Sequence, residues 1–149
     1  MSAVESILIS LEARHAKNIL DGKKLVEFRR RSMNVKPGTT VWIYAKLPVG
    51  SIVGCATVTA ICMQAPSTLW RKFGPVSGIS RSEFFDYFAG KSQGTALQLK
   101  EGKRLSVSVS LERLRTVARD FQPPQFFAHL KRGAAVLDAI SQTRLEGPE

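Results

Sequence analysis

The stretch GKKLVEFRRR, residues 22–31, sets one acid, Glu27, among five cations. An arginine fork matches phosphate geometry, and each phosphate that a protein neutralises makes binding more salt-dependent. Glu27 rejects phosphate from its own place. Kept ionised by cationic neighbours, a carboxylate there can accept from a base amino group such as cytosine N4, or from a ribose 2′-OH. Lys24 offers a different chemistry. A lysine enclosed near other cations can lose its proton near neutral pH and act as nucleophile or base, with Glu27 as its acid–base partner. The plainer alternative is that Glu27 pairs with Arg29 or Lys24 on an open surface, which contributes only about 0–1 kcal/mol.

From Leu25 the sequence alternates with period two, so Val26 and Phe28 point one way while Leu25, Glu27, Arg29 and Arg31 point the other. Arg30 is expected to point elsewhere. Lys24 falls in the opposite phase from Glu27 and can join the group only from the preceding turn or through a bulge. Aromatic residues that stack on bases would be sought at Trp42, Tyr44 and Trp70, with Tyr44 favoured, although such residues are more often core than platform. Alternation puts Trp42 and Tyr44 opposite Val41 and Ile43, and either pair can be the buried one.

Elements must carry these side chains. Ile7 to Leu11 reads as a strand, and Ala16, Ile19 and Leu20 recur at helical spacing before Gly22, where a C-cap glycine belongs. A strand is expected over Thr40 to Ala45. Another begins at Ser51 and is long enough to need a bend, which Gly54 can supply. Helices are expected over Ser67 to Phe73 and over Arg81 to Phe88, the second opened by Ser80 and Glu83 as a capping box and carrying Phe84, Phe85 and Phe88 as its core stripe. Ala96 to Lys100 and Leu105 to Val109 read as two strands, followed by a turn of helix near Glu112 to Arg115. FQPPQFFAHL reads as a segment covering a core edge, AAVLDAI as a terminal helix, and the polar tail as frayed.

Composition limits the classes. The chain has 149 residues, 44% of them hydrophobic, which suits one domain with its own core. Twenty-two Lys and Arg against 12 Asp and Glu give a formal charge of +10, which favours a polyanionic partner, nucleic acid ahead of an acidic membrane. No apolar run approaches the ~18 residues of a membrane span, and MSAVESILISLEAR lacks the features of a secretion signal, so a cytoplasmic protein is expected. Cys55 and Cys62 fall on opposite faces of a strand and are expected to be separate buried thiols. His15 and His129 have no partner at metal-ligand spacing, so no metal or cofactor is expected. Walker, dinucleotide-binding and nucleophile-elbow motifs are absent.

The spacing Gly22-x-Lys24-x-x-Glu27-x-Arg29 resembles the signature of the ASCH domain, a small relative of the PUA RNA-binding domain. ILISLEARHAKNIL, VWIYAKLPVGSIVG, SGISRSEFFDYFAG and PPQFF extend the likeness from about Ile7 to Leu130. The resemblance implies an α+β fold, a small mixed β-barrel of about five or six strands with peripheral helices, in one domain over residues 1–149. Its core would cover about 5–130, with a C-terminal helix and polar tail over 131–149. It also implies a cleft where the motif residues gather to bind RNA or a nucleotide-like ligand, and a regulatory role; with Arg31 added from strand alternation and Tyr44 from the stacking aromatics, the expected ligand residues are Lys24, Glu27, Arg29, Arg31 and Tyr44. Some small bacterial members are ribonucleases or amidohydrolases of N4-acylated cytidine. On that alternative Lys24 and Glu27 would be catalytic. In the amidohydrolases, however, a threonine stands where this chain has Glu27, and a separate glutamate has no evident counterpart here. A protein-binding regulator that uses the exposed cations as a docking surface is a further alternative.

Overall fold

The computed structural model describes residues 5–147. The first residues of the segment read as lacking a secretion signal, and the last two of the tail, lie outside the described residues. The elements are β1 (Ser6–Leu11), α1 (Ala13–Leu20), β2 (Val26–Arg29), β3 (Thr40–Ala45), β4 (Ser51–Gln64), α2 (Pro66–Phe73), α3 (Arg81–Tyr87), β5 (Gly94–Ser110), α4 (Leu111–Val117), β6 (Phe127–Leu130), α5 (Ala135–Ser141) and β7 (Leu145–Glu146). A 3-10 turn, Gly74–Val76, follows α2. Among the described residues no helix is long and apolar enough to cross a membrane.

Among the described residues one mixed sheet holds seven strands in the order β2-β5-β4-β3-β1-β6, with β7 against β5. β1 runs parallel to β3, and the other ladders are antiparallel. The fold class is α+β, as expected. The expected barrel closure is not present as a ladder: among the described residues no pairing joins β2 to β6, each only four residues long.

Alternation in β1 and β3 sends apolar residues to both faces, and helices cover both. Ile7, Ile9, Val41 and Ile43 pack with Ala16, Ile19 and Leu20 of α1. Leu8, Trp42 and Tyr44 pack on the other side with Leu114 of α4 and Val136 and Ile140 of α5. Both pairs in β3 are therefore buried. A third cluster joins Val26, Phe28 and Ala96 to Leu69 of α2 and Phe84 and Phe88 of α3, with Phe28 and Phe84 edge to face at 4.7 Å. Cys55 belongs to the second cluster and Cys62 borders the third, both as free thiols. Burial pushes the Cys55 thiol up to about 11.

Gly54 bends β4 where the register with β5 shifts, and a Cβ there would sit 2.2 Å from the Lys103 carbonyl oxygen. The two strands expected between Ala96 and Val109 are one. Glu101 takes a positive φ of 56° inside a continuous β5, so the break expected between Lys100 and Leu105 is an irregularity within the strand. The segment expected only to cover a core edge contributes β6, paired with β1. The tail expected to fray contributes β7, paired with Arg104 and Leu105.

Candidate functional site

α1 closes at Gly22, whose φ of 78° suits its place after the C-cap, and the chain turns directly into β2. Lys23 and Lys24 donate their backbone amides to the Asn18 carbonyl, and Leu25 donates to Val76. This turn, rather than a bulge, carries the Lys24 side chain inward. Lys24 is only 2% exposed, and its Nζ donates to the Ser77 carbonyl at 2.5 Å and lies 3.8 Å from Glu27 Oε1.

Regular alternation in β2 then presents Glu27 and Arg29 on one face, each 8% exposed, while Val26 and Phe28 enter the third cluster. Arg29 Nε donates to Glu27 Oε2 at 3.1 Å. The same guanidinium donates to the Phe126 carbonyl at 3.2 Å and the Ser10 carbonyl at 3.3 Å. Arg29 therefore spans the seam that no ladder closes, tying β2 to β1 and to the approach to β6. This strut uses much of the fork that the sequence assigned to phosphate.

These residues open on a cleft of about 210 Å³, whose lining includes Lys24, Glu27, Arg29, His15, Glu83 and Tyr87. Ser10, Glu12 and Lys46 complete its polar wall. Three carboxylates thus face three cations, and the cleft is not a basic one. Burial and the Lys24 ammonium hold His15 below its ordinary value, so it is neutral at pH 7. Its Nε2 lies 4.0 Å from Glu83 Oε2, while its Nδ1 and the Ser10 hydroxyl have no hydrogen-bond partner. Burial likewise lowers the Lys24 pKa against the opposing pull of Glu27, and raises that of the Tyr87 phenol.

Glu83 shows how one residue can be read correctly and incompletely. Its backbone amide donates to Ser80 Oγ at 3.1 Å, which is half of the expected capping box. Its carboxylate pairs with Arg14, donors Nη1 and Nη2 both engaged, and this pairing lowers its pKa. The helix cap therefore also supplies an acid to the cleft wall. His15, Glu83 and Tyr87 escaped sequence reasoning because their partners lie on other elements. The one available signal was Tyr87, a polar-tipped ring at the edge of the Phe84, Phe85 and Phe88 stripe.

Two expected ligand residues lie outside the cleft. Tyr44 is 3% exposed in the second cluster, where its ring packs under α4 and α5 and presents no face for stacking. Arg31 sits in the bend beyond β2, its guanidinium carbon 5.8 Å from the Phe126 ring centroid. Arg30, expected to point away from Glu27, is absent from the cleft lining as well. Because β2 ends at Arg29, strict alternation ends with it, and Arg29, Arg30 and Arg31 all line one shallow groove with Tyr87, Gln125 and Phe126. Among the described residues no group of three or more His, Cys, Asp or Glu side chains is placed to hold a metal.

A family described as a domain of unknown function, DUF365, matches residues 4–126. An ASCH domain-containing ribonuclease of Zymomonas mobilis subsp. mobilis is 37% identical over 125 residues, which are 84% of each chain. The crystal structure of ASCH from Zymomonas mobilis superposes with a TM-score of 0.87 at 35% identity, covering 93% of this chain and 96% of that one. Human THYN1, solved in complex with 5-methylcytosine-containing DNA, has a TM-score of 0.56 at 9% identity over 93% of this chain and 96% of its own, a likeness of fold alone. With the Lys24, Glu27 and Arg29 signature gathered on one cleft and these likenesses along most of its length, the chain belongs to the ASCH domain family.

Proposed function

We propose that this protein is a single ASCH domain that binds single-stranded RNA and seats one nucleotide in the cleft. Glu27 accepts there from a base amino group or a ribose 2′-OH. The observation that carries this reading is the state of Glu27: a nearly buried carboxylate, oriented by Arg29 Nε at 3.1 Å and the Lys24 ammonium at 3.8 Å, that still borders a cavity of about 210 Å³. A pair serving only stability needs no such opening. Lys24 and Arg29 act mainly by fixing Glu27, since both also donate to backbone carbonyls.

The test is fluorescence anisotropy with labelled RNA oligonucleotides of differing base composition. Glu27→Gln keeps the shape and removes the charge. It is expected to weaken binding of the preferred sequence by about 1–3 kcal/mol, roughly 5- to 150-fold. Equal affinity of the variant and the parent for every RNA would end the proposed role of Glu27.

A second reading, RNA cleavage, is favoured by His15 and by the relative named a ribonuclease. The neutral imidazole of His15, which lines the same cleft, can accept the proton of a ribose 2′-OH as that oxygen attacks the adjacent phosphate and displaces the 5′-oxygen of the next nucleotide, which leaves with a proton from water. The Lys24 ammonium would then face the developing negative charge. Incubation of single-stranded RNA with the parent, His15→Ala and Lys24→Ala separates the readings. Products that form equally with all three proteins would rule against cleavage at this cleft.

A further inference from the structure

The charge balance of the cleft leaves a question that its geometry does not answer. The chain carries a net +10, yet the cleft sets three cations against three carboxylates. A strongly salt-dependent hold on a polyanion must therefore come from another surface.

One shallow groove adjoins the cleft, and a second continues from the first. One is lined by Arg29, Arg30, Arg31, Tyr87, Gln125 and Phe126, and shares Arg29 and Tyr87 with the cleft itself. The other continues from Arg30 and Arg31 past Met63 to Lys91, in the connection between α3 and β5. Neither has an Asp or Glu in its lining. Among the described residues Arg30, Arg31 and Lys91 enter no ion pair, whereas Arg14, Lys17 and Arg104 are each paired with an acid. All three are exposed.

The surface also offers apolar faces: Tyr87 is 40% exposed and Met63 46% exposed, and Phe126 lies beneath Arg31. Cations without competing acids, next to an exposed ring, are what a backbone-tracking site for a single strand requires.

We propose that the paired grooves at Arg30, Arg31 and Lys91 form a track for the phosphates of a single-stranded RNA whose neighbouring nucleotide enters the cleft, with Tyr87 at the junction. This rests on the cleft reading and deepens it. A single strand fits better than a duplex, because a base reaches an enclosed cleft only after leaving its stack. The division of labour is explicit: the grooves supply salt-dependent affinity and the cleft supplies selection.

The experiment compares the salt dependence of binding of one RNA octamer by three proteins: the parent, the triple variant Arg30→Gln/Arg31→Gln/Lys91→Gln, and a charge-matched control, Lys103→Gln/Lys131→Gln/Arg132→Gln. None of the control positions lines either groove. Each single-strand phosphate contact contributes about 0.7 to the slope of log K against log salt, so three contacts contribute about 2. The groove variant should lose about 2 units of slope and the control much less, with all three proteins melting within a few degrees of one another. If the groove variant and the control lose slope equally while Glu27→Gln still weakens binding, the track is wrong and the cleft reading stands. If the parent binds no RNA, both fall.

Discussion

Replacement of Arg29 tests whether the seam between β2 and the β1–β6 end of the sheet is held by one side chain. Arg29→Met keeps length and apolar stem but removes the donors to Glu27 at 3.1 Å, Phe126 at 3.2 Å and Ser10 at 3.3 Å. Arg29 and Glu27 are both nearly buried, so solvent cannot replace these bonds freely. Removing one partner of such a buried pair costs about 3–5 kcal/mol, because the remaining carboxylate and carbonyls are left without donors. Lys24 stays 3.8 Å from Glu27 and should keep the loss toward the lower part of that range. At 2–4 °C per kcal/mol for a chain of this size, the melting temperature should fall by roughly 6–20 °C. Calorimetry of the parent, Arg29→Met, Glu27→Gln and the double variant completes a cycle in which the double variant should lose less than the sum of the singles. A fall of under about 2 °C in Arg29→Met, or strict additivity, would refute the strut.

Three further outcomes are expected. His15 has a folded pKa below its unfolded value of 6.5, so the folded state resists a proton that the unfolded state accepts. Its stabilising contribution is therefore complete above about pH 6.5 and declines as the pH falls toward the folded pKa; His15→Gln should flatten this part of the stability–pH curve, and an unchanged curve would contradict the burial of the neutral ring. Gly54→Ala would place a Cβ 2.2 Å from the Lys103 carbonyl oxygen and 2.8 Å from Leu20 Cδ2, so thermal or urea unfolding should show a loss of at least about 1–3 kcal/mol. Tyr87→Ala should weaken binding of an RNA octamer by about 1–3 kcal/mol if its exposed ring stacks on a base, measured by anisotropy.

Local pattern was legible wherever neighbours in sequence decide the outcome. Thr40 to Ala45 is the strand expected, Ala16, Ile19 and Leu20 form the buried stripe of α1, Gly22 takes the left-handed conformation after the C-cap, and Gly54 bends β4. Period-two alternation correctly separated Glu27 and Arg29 from Val26 and Phe28. The same rule misplaced Arg31, which lies outside the cleft, because alternation holds only while the ladder lasts, and β2 ends at Arg29. It also could not say which pair in β3 was buried, since helices distant in sequence cover both faces.

Sequence by itself determined the family, the α+β class, the signature residues and the positive charge, because residue type, spacing and periodicity are properties of the chain. Only the tertiary structure decided how they combine. It turned Lys24 inward from a turn, made Arg29 a strut across an open seam, placed Tyr44 in a core, and brought His15 and Glu83 from separate helices to Glu27. It also divided the charge into a balanced cleft and an acid-free groove beside it. The physical reason is that burial, desolvation and the meeting of side chains depend on distances between elements, which close only when the sheet and its helices pack.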